Sequence, residues 1–255
     1  MVSKRAVAMP TLILTPRYTD DTQALWKAAS ALGWRVERLG SWRVPEHLQS
    51  LDTPVLYAEA LFAPSLAEQL GIELLGPEDD WLVRLPFEYR RRDIRLMTLA
   101  QARQLPAPAF VKPPNDKTFP AQVYTPGELP QGYDEAMPVL VSDIVQWCSE
   151  FRCFIRDRAL QTFSIYSRAG ELQKDANFAC TEDERTGVHA FVQQLLDDER
   201  VELPAATVVD VGVIEGLGWA VVEQNAAWGA GIYGCDPVAV LETIAGASKK
   251  RGDAG

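Results

Sequence analysis

The sequence predicts a mixed α/β protein built from more than one layer. Three observations predict it. Residues 11–75 alternate short apolar runs with stretches of helical spacing, the pattern of strands and helices packed on one another. Residues 147–166 and 208–224 each contain two apolar runs joined by a tight polar turn, the pattern of antiparallel hairpins. The chain has 255 residues, 47% of them apolar and 24% charged, which suffices for a substantial core in one large domain or two small ones.

Composition narrows the function. The net charge is −10 and there is no long basic block, which argues against a nucleic-acid partner. No apolar run reaches the ~18 residues of a membrane span, so no membrane partner is expected. The N-terminal MVSKRAVAMPTLILTP is a poor signal peptide: Pro10 and Pro16 break its apolar run, and it lacks a clear small-residue cleavage site. Cys148, Cys153, Cys180 and Cys235 show neither zinc spacing nor clustering with histidine. Scattered cysteines of this kind suggest reduced thiols and a cytoplasmic location. The two histidines, His47 and His189, read as surface or packing residues, so Ser-His-Asp chemistry is not expected.

In chain order, residues 11–15 form the first strand candidate and 16–21 a polar turn. Residues 22–33 predict a helix, with Leu25, Ala28, Ala29 and Leu32 at helical spacing and Gly33 as the stop. Strands are predicted over 34–39, 53–57 and 72–75, and a short helix over 64–70. No Gly-x-Gly-x-x-Gly follows the first strand, so a dinucleotide site is not expected there. Composition shifts at Gly76-Pro77-Glu78-Asp79-Asp80. A domain boundary falls near here: a small α/β domain over 1–84, a second domain over 85–245 and a frayed tail over 246–255. Arg90, Arg91, Arg92 and Arg95 form a dense basic patch, partly a solvated face, of which one or two members suit bidentate contact with phosphate. Residues 98–104 predict a short helix with Thr98 as cap.

Phe110-Val111-Lys112-Pro113-Pro114-Asn115-Asp116-Lys117 places one lysine at the end of a short apolar strand and a second in the turn-rich loop beyond it. The arrangement suits a polyphosphate; the alternative is a surface loop with two solvated lysines. The loop lacks the glycines of a Walker A motif. The apolar run 137–145 opens at Ser142 and Asp143 into a hinge whose backbone groups can read a purine edge. In 147–155 the period of two puts Glu150 and Arg152 on one face; the plain reading is an exposed ion pair worth well under ~1 kcal/mol. Residues 182–198 predict a helix capped by Thr181, with Val188, Phe191, Val192, Leu195 and Leu196 on one face.

The densest chemistry lies in VVDVGVIEGLGWAVVEQNAAWGAGIYGCDP, residues 208–237. If 215–218 form the hairpin loop, Ile214 pairs with Trp219 and Asp210 lies opposite Glu223. Opposite residues share a face with Cβ atoms about 5 Å apart. Asn225 follows on that face about 7 Å beyond. Facing carboxylates are destabilising unless compensated. A hard cation such as Mg²⁺, shared with phosphates, is the natural compensator; a solvated hairpin is the alternative. Trp228-Gly229-Ala230-Gly231 suits either close substrate approach or a turn that buries Trp228. Pro237–Ala245 predicts the last helix.

The order of these elements resembles the ATP-grasp superfamily. A lysine strand with its loop comes first, then a hinge strand, then an Asp strand and a Glu-x-Asn strand. The segments FVKPPNDKTF, SEFRCFI and EQNAAWGAGIYGCDP are similar to a small bacterial and phage branch of it. The resemblance covers residues 85–245, and residues 1–84 resemble the small α/β domain that precedes the fold in such enzymes. It implies two α+β subdomains clasping ATP. It further implies that Lys112 binds the α- and β-phosphates and Lys117 the β- and γ-phosphates, that Ser142, Asp143, Ile144 and Val145 hold the adenine, and that Glu150 holds the ribose. Asp210, Glu223 and Asn225 would hold one or two Mg²⁺ ions. Arg152, with one of Arg90–Arg92, would stabilise the transferred phosphate or an acceptor carboxylate. The sequence departs from the family in lacking an acidic residue at the hinge and a glycine-rich phosphate loop, and in having little room for a substrate domain. The implied reaction joins a carboxylate to an amine through an acylphosphate, with a small carboxylate, amine or peptide as acceptor. A kinase on the same fold and a nucleotide-binding protein without turnover are the alternatives.

Overall fold

The computed structural model describes residues 9–115 and 117–252. Its first layer is a parallel sheet of order β2-β1-β3, built from β1 (Thr11–Leu14), β2 (Arg35–Arg38) and β3 (Pro54–Tyr57), with α1 (Asp20–Ala31) between β1 and β2. Helix α1 starts two residues before the apolar spacing predicts. Thr19 caps it: its Oγ1 accepts from the Thr22 N–H, while Thr22 Oγ1 accepts from the Thr19 N–H. Asp20 and Asp21 then lie at the positive end of the helix dipole. Helix α2 (Ala63–Gln69) and β4 (Ile72–Leu74) complete this part.

Two short helices, α3 (Trp81–Arg84) and α4 (Phe87–Arg90), lead into a four-stranded antiparallel sheet of order β5-β8-β6-β7. Its members are β5 (Ile94–Thr98), then, after the single-turn α5 (Leu99–Ala102), β6 (Ala109–Lys112), β7 (Gln122–Tyr124) and β8 (Pro138–Ser142). The predicted Thr98 cap is present, with Gln101 completing a capping box. Val111, Phe119, Tyr124, Val139 and Val141 form this sheet's own core.

A larger antiparallel sheet follows: β9 (Trp147–Arg156), β10 (Ala159–Arg168), β11 (Glu171–Leu172), then α6 (Glu182–Asp197), β12 (Ala206–Ile214) and β13 (Gly218–Asn225), in the order β11-β10-β9-β12-β13. Asp157 and Arg158 join β9 to β10 with φ of 50° and 57°, the doubly left-handed backbone of a two-residue hairpin turn that matches strand twist. Helix α6 carries the predicted Thr181 cap. Its Val188, Phe191, Val192 and Leu195 pack on Phe151, Cys153, Val209, Val211 and Val221. The opposite face of the sheet offers Phe154, Ala206 and Val208 to α7 (Pro237–Ala245) and to Leu12, Leu14 and Val55 of the first sheet. Each of these larger aliphatic side chains contributes roughly 1.5–3 kcal/mol by burial.

The segment expected to fray carries a last strand, β14 (Ser248–Lys250), antiparallel to β4 with Lys249 opposite Glu73. No local periodicity marks it, because its partner lies some 175 residues earlier in the chain. Residues 253–255 lie outside the described residues. Among the described residues no helix is long and apolar enough to cross a membrane.

Candidate functional site

Strand register brings the chemistry into one line. Ser164 of β10 lies opposite Arg152 of β9, Arg152 opposite Asp210 of β12, and Asp210 opposite Glu223 of β13. The β12–β13 hairpin reaches that register by a different route from the one expected. Ile214 pairs with Gly218, so the loop is 215–217 and not 215–218. Gly216 and Gly218 adopt φ of 72° and 84°, which a shortened turn requires and a side chain resists. Between Val221 and Glu223 the register shifts by one, with Val222 as the extra residue of a bulge. The shorter loop and the bulge cancel, and Asp210 still faces Glu223. The bulge does a second thing. In a regular strand Val221 and Glu223 would share a face. Here Val221 is buried against α6, while Glu223 turns to the other face beside Asp210.

The carboxylates are compensated by cations from two directions. Asp210 is wholly buried. Arg152 grips it with Nε donating to Oδ1 at 3.0 Å and Nη2 to Oδ2 at 2.6 Å, and donates from Nη1 to the Gly231 carbonyl at 3.0 Å. Asn225 Nδ2 bridges the two acids, 3.2 Å from Asp210 Oδ2 and 3.1 Å from Glu223 Oε1. Lys112, at the end of β6 in the other sheet, donates from Nζ to Glu223 Oε2. Burial works to raise the Glu223 carboxyl, but Lys112 and then Asn225 outweigh it and hold it at about 2. Burial likewise disfavours the Arg152 charge, and Asp210 reverses that, leaving the guanidinium above its ordinary value.

The remaining predicted residues are distributed around this line. The expected exposed Glu150–Arg152 ion pair is not formed, because the cross-strand neighbour Asp210 takes the guanidinium. Glu150 Oε2 instead accepts from the Tyr166 hydroxyl at 2.9 Å. Tyr166 stacks on Tyr233, and the Arg152 guanidinium carbon lies 5.6 and 4.7 Å from their ring centres. Ser142 ends β8, paired with Ile94 and Phe110. Asp143 folds back on Asp93: its N–H donates to the Asp93 carbonyl at 3.0 Å, and its Oδ2 accepts from the Asp93 N–H at 2.8 Å. Ile144 is exposed and, with Val145, continues the hinge to β9. Lys117 is exposed, and Asp116 lies outside the described residues. Asn115 Nδ2 ties the Lys112 loop to the Pro77 carbonyl and Asp79 Oδ1 at 3.1 and 2.7 Å. Of the basic patch, Arg91 and Arg95 are exposed and Arg90 donates to the Ile94 carbonyl. Arg92 is buried and turned to β13.

Residues 89–243 match the model of an ATP-grasp domain, the second family of its clade. The chain belongs to that ATP-grasp family. Among curated proteins none matches the sequence. Solved structures that it resembles include D-cycloserine synthetase, at 12% identity and a TM-score of 0.58, covering 93% of this chain and 99% of that one. The D-alanine–D-alanine ligase of Bacillus anthracis complexed with ATP is 14% identical at a TM-score of 0.55, covering 93% and 97%. A RimK-domain ATP-grasp protein of Sphaerobacter thermophilus is 16% identical at 0.54, covering 92% and 98%. At these identities the likeness establishes the ATP-grasp fold.

Within the ATP-grasp fold the donor set suits a hard cation. Asp210, Glu223 and Asn225 offer only oxygen ligands, two of them carboxylates. The Lys112 ammonium already stands against Glu223 in a cation's place. Asp210 is more tightly held, since Arg152 and Asn225 engage both its oxygens. Among the described residues no three His, Cys, Asp or Glu side chains converge as a metal cluster, so phosphate oxygens would complete any coordination here.

Several residues that line the site carry no motif. Tyr57 donates to the Ala230 carbonyl at 3.0 Å and to Asp21 Oδ2 at 3.4 Å, and Asp21 Oδ2 accepts from the Ile232 N–H at 3.2 Å. Burial first, then Asp21, pushes the Tyr57 hydroxyl far above its ordinary range. The available signal was position: Tyr57 ends a strand at the carboxyl edge of a parallel sheet, where ligands of such sheets gather. Trp228 is a packing residue, its Nε1 donating to the Leu75 carbonyl at 2.7 Å. A Cβ on Gly229 would stand 3.0 Å from the Ala58 carbonyl oxygen, so this loop needs glycine to lie against the first sheet.

Proposed function

We propose that this ATP-grasp protein is an ATP- and Mg²⁺-dependent ligase that joins a carboxylate to an amine through an acylphosphate. The observation that carries the reading is the Lys112–Glu223 pair. It sets a lysine from the four-stranded sheet against an acid of the five-stranded sheet, across the space that a nucleotide clasped by both would enter. The D-cycloserine synthetase and D-alanine–D-alanine ligase folds support it, the latter determined with ATP.

In this reading residues 85–245 clasp ATP and residues 1–84 contribute to the acceptor side. Lys112 leaves Glu223 for the α- and β-phosphates as Glu223, Asn225 and Asp210 take up Mg²⁺, so no net charge is stranded in the cleft. The ion neutralises the phosphate oxygens. Lys117 closes over the terminal phosphates, the hinge 142–145 holds the adenine, and Glu150 holds the ribose. The acceptor carboxylate attacks the γ-phosphorus and ADP leaves. The amine then attacks the acyl carbon, inorganic phosphate leaves, and the amine's proton passes to solvent. Arg152 lies beside that path under Tyr166 and Tyr233 and stabilises charge on the transferred group. The acceptor is a small amino acid or peptide.

The test is ATP with Mg²⁺, first in a thermal melt and then with an amino-acid and dipeptide panel. A raised Tm, with ADP released in step with a new amide, is expected. ADP without an amide would mean a kinase. Absence of any Mg²⁺-dependent shift would overturn the nucleotide reading.

A further inference from the structure

β13 is the edge strand of its sheet, and it holds the bulge on which the position of Glu223 depends. Edge bulges have backbone groups with no ladder partner to hold them. Here one side chain supplies the partner. Arg92 donates from Nη1 to the Val221 carbonyl at 2.8 Å and from Nη2 to the Val222 carbonyl at 3.0 Å. Carbonyls of successive residues point to opposite edges of a regular strand, so a single fork reaches both only where the strand is bulged. A third bond, Nη1 to the Arg90 carbonyl at 2.9 Å, fixes the fork to its own loop. The guanidinium carbon lies 5.0 Å from the ring centre of Trp147, the first residue of β9 after the hinge.

Arg92 is 7% exposed, and among the described residues no carboxylate lies within the 4.0 Å of an ion pair with it. Burial, with Arg90 next, pushes it down to about 10. A cation buried on carbonyls alone is a costly way to stabilise a fold, which points to a positional role. The adjacent residue extends it. Asp93 exchanges two hydrogen bonds with Asp143, the second residue of the hinge.

We infer that Arg92 is a positioning residue: it locks the β13 bulge that turns Glu223 into the site, and with Asp93 it ties that bulge to the hinge before β9. The Arg92–Asp93 pair is thus a strut between the two ends of the bound ligand. Its effect on binding rests on the nucleotide reading of the cleft; its effect on the bulge does not.

Arg92→Lys keeps the charge but replaces the two-pronged fork by one ammonium, which cannot hold both carbonyls in plane. Two readouts separate the cases. In hydrogen exchange by mass spectrometry, amides of 218–225 and 143–147 are expected to exchange about tenfold faster, the loss of roughly one charge-assisted hydrogen bond, while those of 182–197 stay at the wild-type rate. In titrations with a non-hydrolysable ATP analogue, the gain in affinity that Mg²⁺ confers is expected to fall about tenfold, with a smaller change in its absence. Unchanged exchange in 218–225 and 143–147 would overturn the role of Arg92. So would a uniform rise that includes 182–197, which marks a general loss of stability. Wild-type protein that fails to bind the analogue would overturn the nucleotide reading, and the exchange pattern would still decide whether Arg92 locks the bulge.

Discussion

Asp210→Ala should remove far more stability than a charge on the surface of this protein. Asp210 is wholly buried and Arg152 nearly so. The substitution takes away both oxygens that hold the guanidinium, at 3.0 and 2.6 Å, and leaves it only the Gly231 carbonyl. Breaking one side of a buried pair costs about 3–5 kcal/mol, mostly for the charge left behind. At about 2.1 cal/mol/K per residue of unfolding entropy, a chain of 255 residues gains or loses roughly 1 °C per 0.5 kcal/mol. The expected fall in Tm is therefore about 6–10 °C by calorimetry at pH 7. The reciprocal change separates charge from packing. In Arg152→Met, burial first and then Glu223 and Glu150 hold the Asp210 carboxyl above its unfolded value with nothing opposing them. A raised carboxyl favours the fold below its unfolded pKa of about 3.9 and loses that contribution as pH rises through its folded value. Arg152→Met should therefore melt lower at pH 7 than at pH 5 relative to wild type. The double variant should be more stable than the two single losses summed, by about 2–3 kcal/mol. A fall of under about 2 °C for Asp210→Ala, or strict additivity, would refute a buried, mutually dependent pair.

Lys112→Met should weaken binding of an ATP analogue by about 10–100-fold, the worth of one charge-assisted contact, and the same titration should show no rescue by high Mg²⁺. Gln224 is 5% exposed, and its amide N and O have no partner among the described residues. Gln224→Leu should accordingly stabilise the protein by about 1–2 kcal/mol in urea unfolding; a loss would mean the amide is satisfied. Glu184 is held at about 2 by its Arg168 partner, against burial and helped by Thr181. A depressed carboxyl contributes fully above its unfolded pKa, so this share of stability should drain as pH falls from about 4.5 to 2, and Glu184→Gln should flatten Tm against pH in that window.

What the sequence alone determined is what short-range physics controls. Thr98 and Thr181 cap their helices as predicted, since a cap needs only its own first turn. Pro237–Ala245 begins and ends where the sequence places it. The alternation of strands and helices, the 208–225 hairpin and the Asp210–Glu223 rung were all legible, because a period of two and a turn with two glycines leave few alternatives. The tertiary structure alone decided which partner each group met. A bulge at Val222 has no sequence signature; it arises because Val221 must reach the α6 core while Glu223 must face Asp210. Arg152 meets Asp210 and not Glu150, because β9 and β12 lie side by side although 58 residues separate the two side chains. Arg92 turned from a phosphate candidate into the clamp of an edge strand 129 residues away. Ser248–Lys250 became a strand only because β4 offered a free edge. Periodicity and caps are local and survive in the bare sequence. Charge pairing and register depend on contacts between distant segments, and those exist only once the sheets have formed.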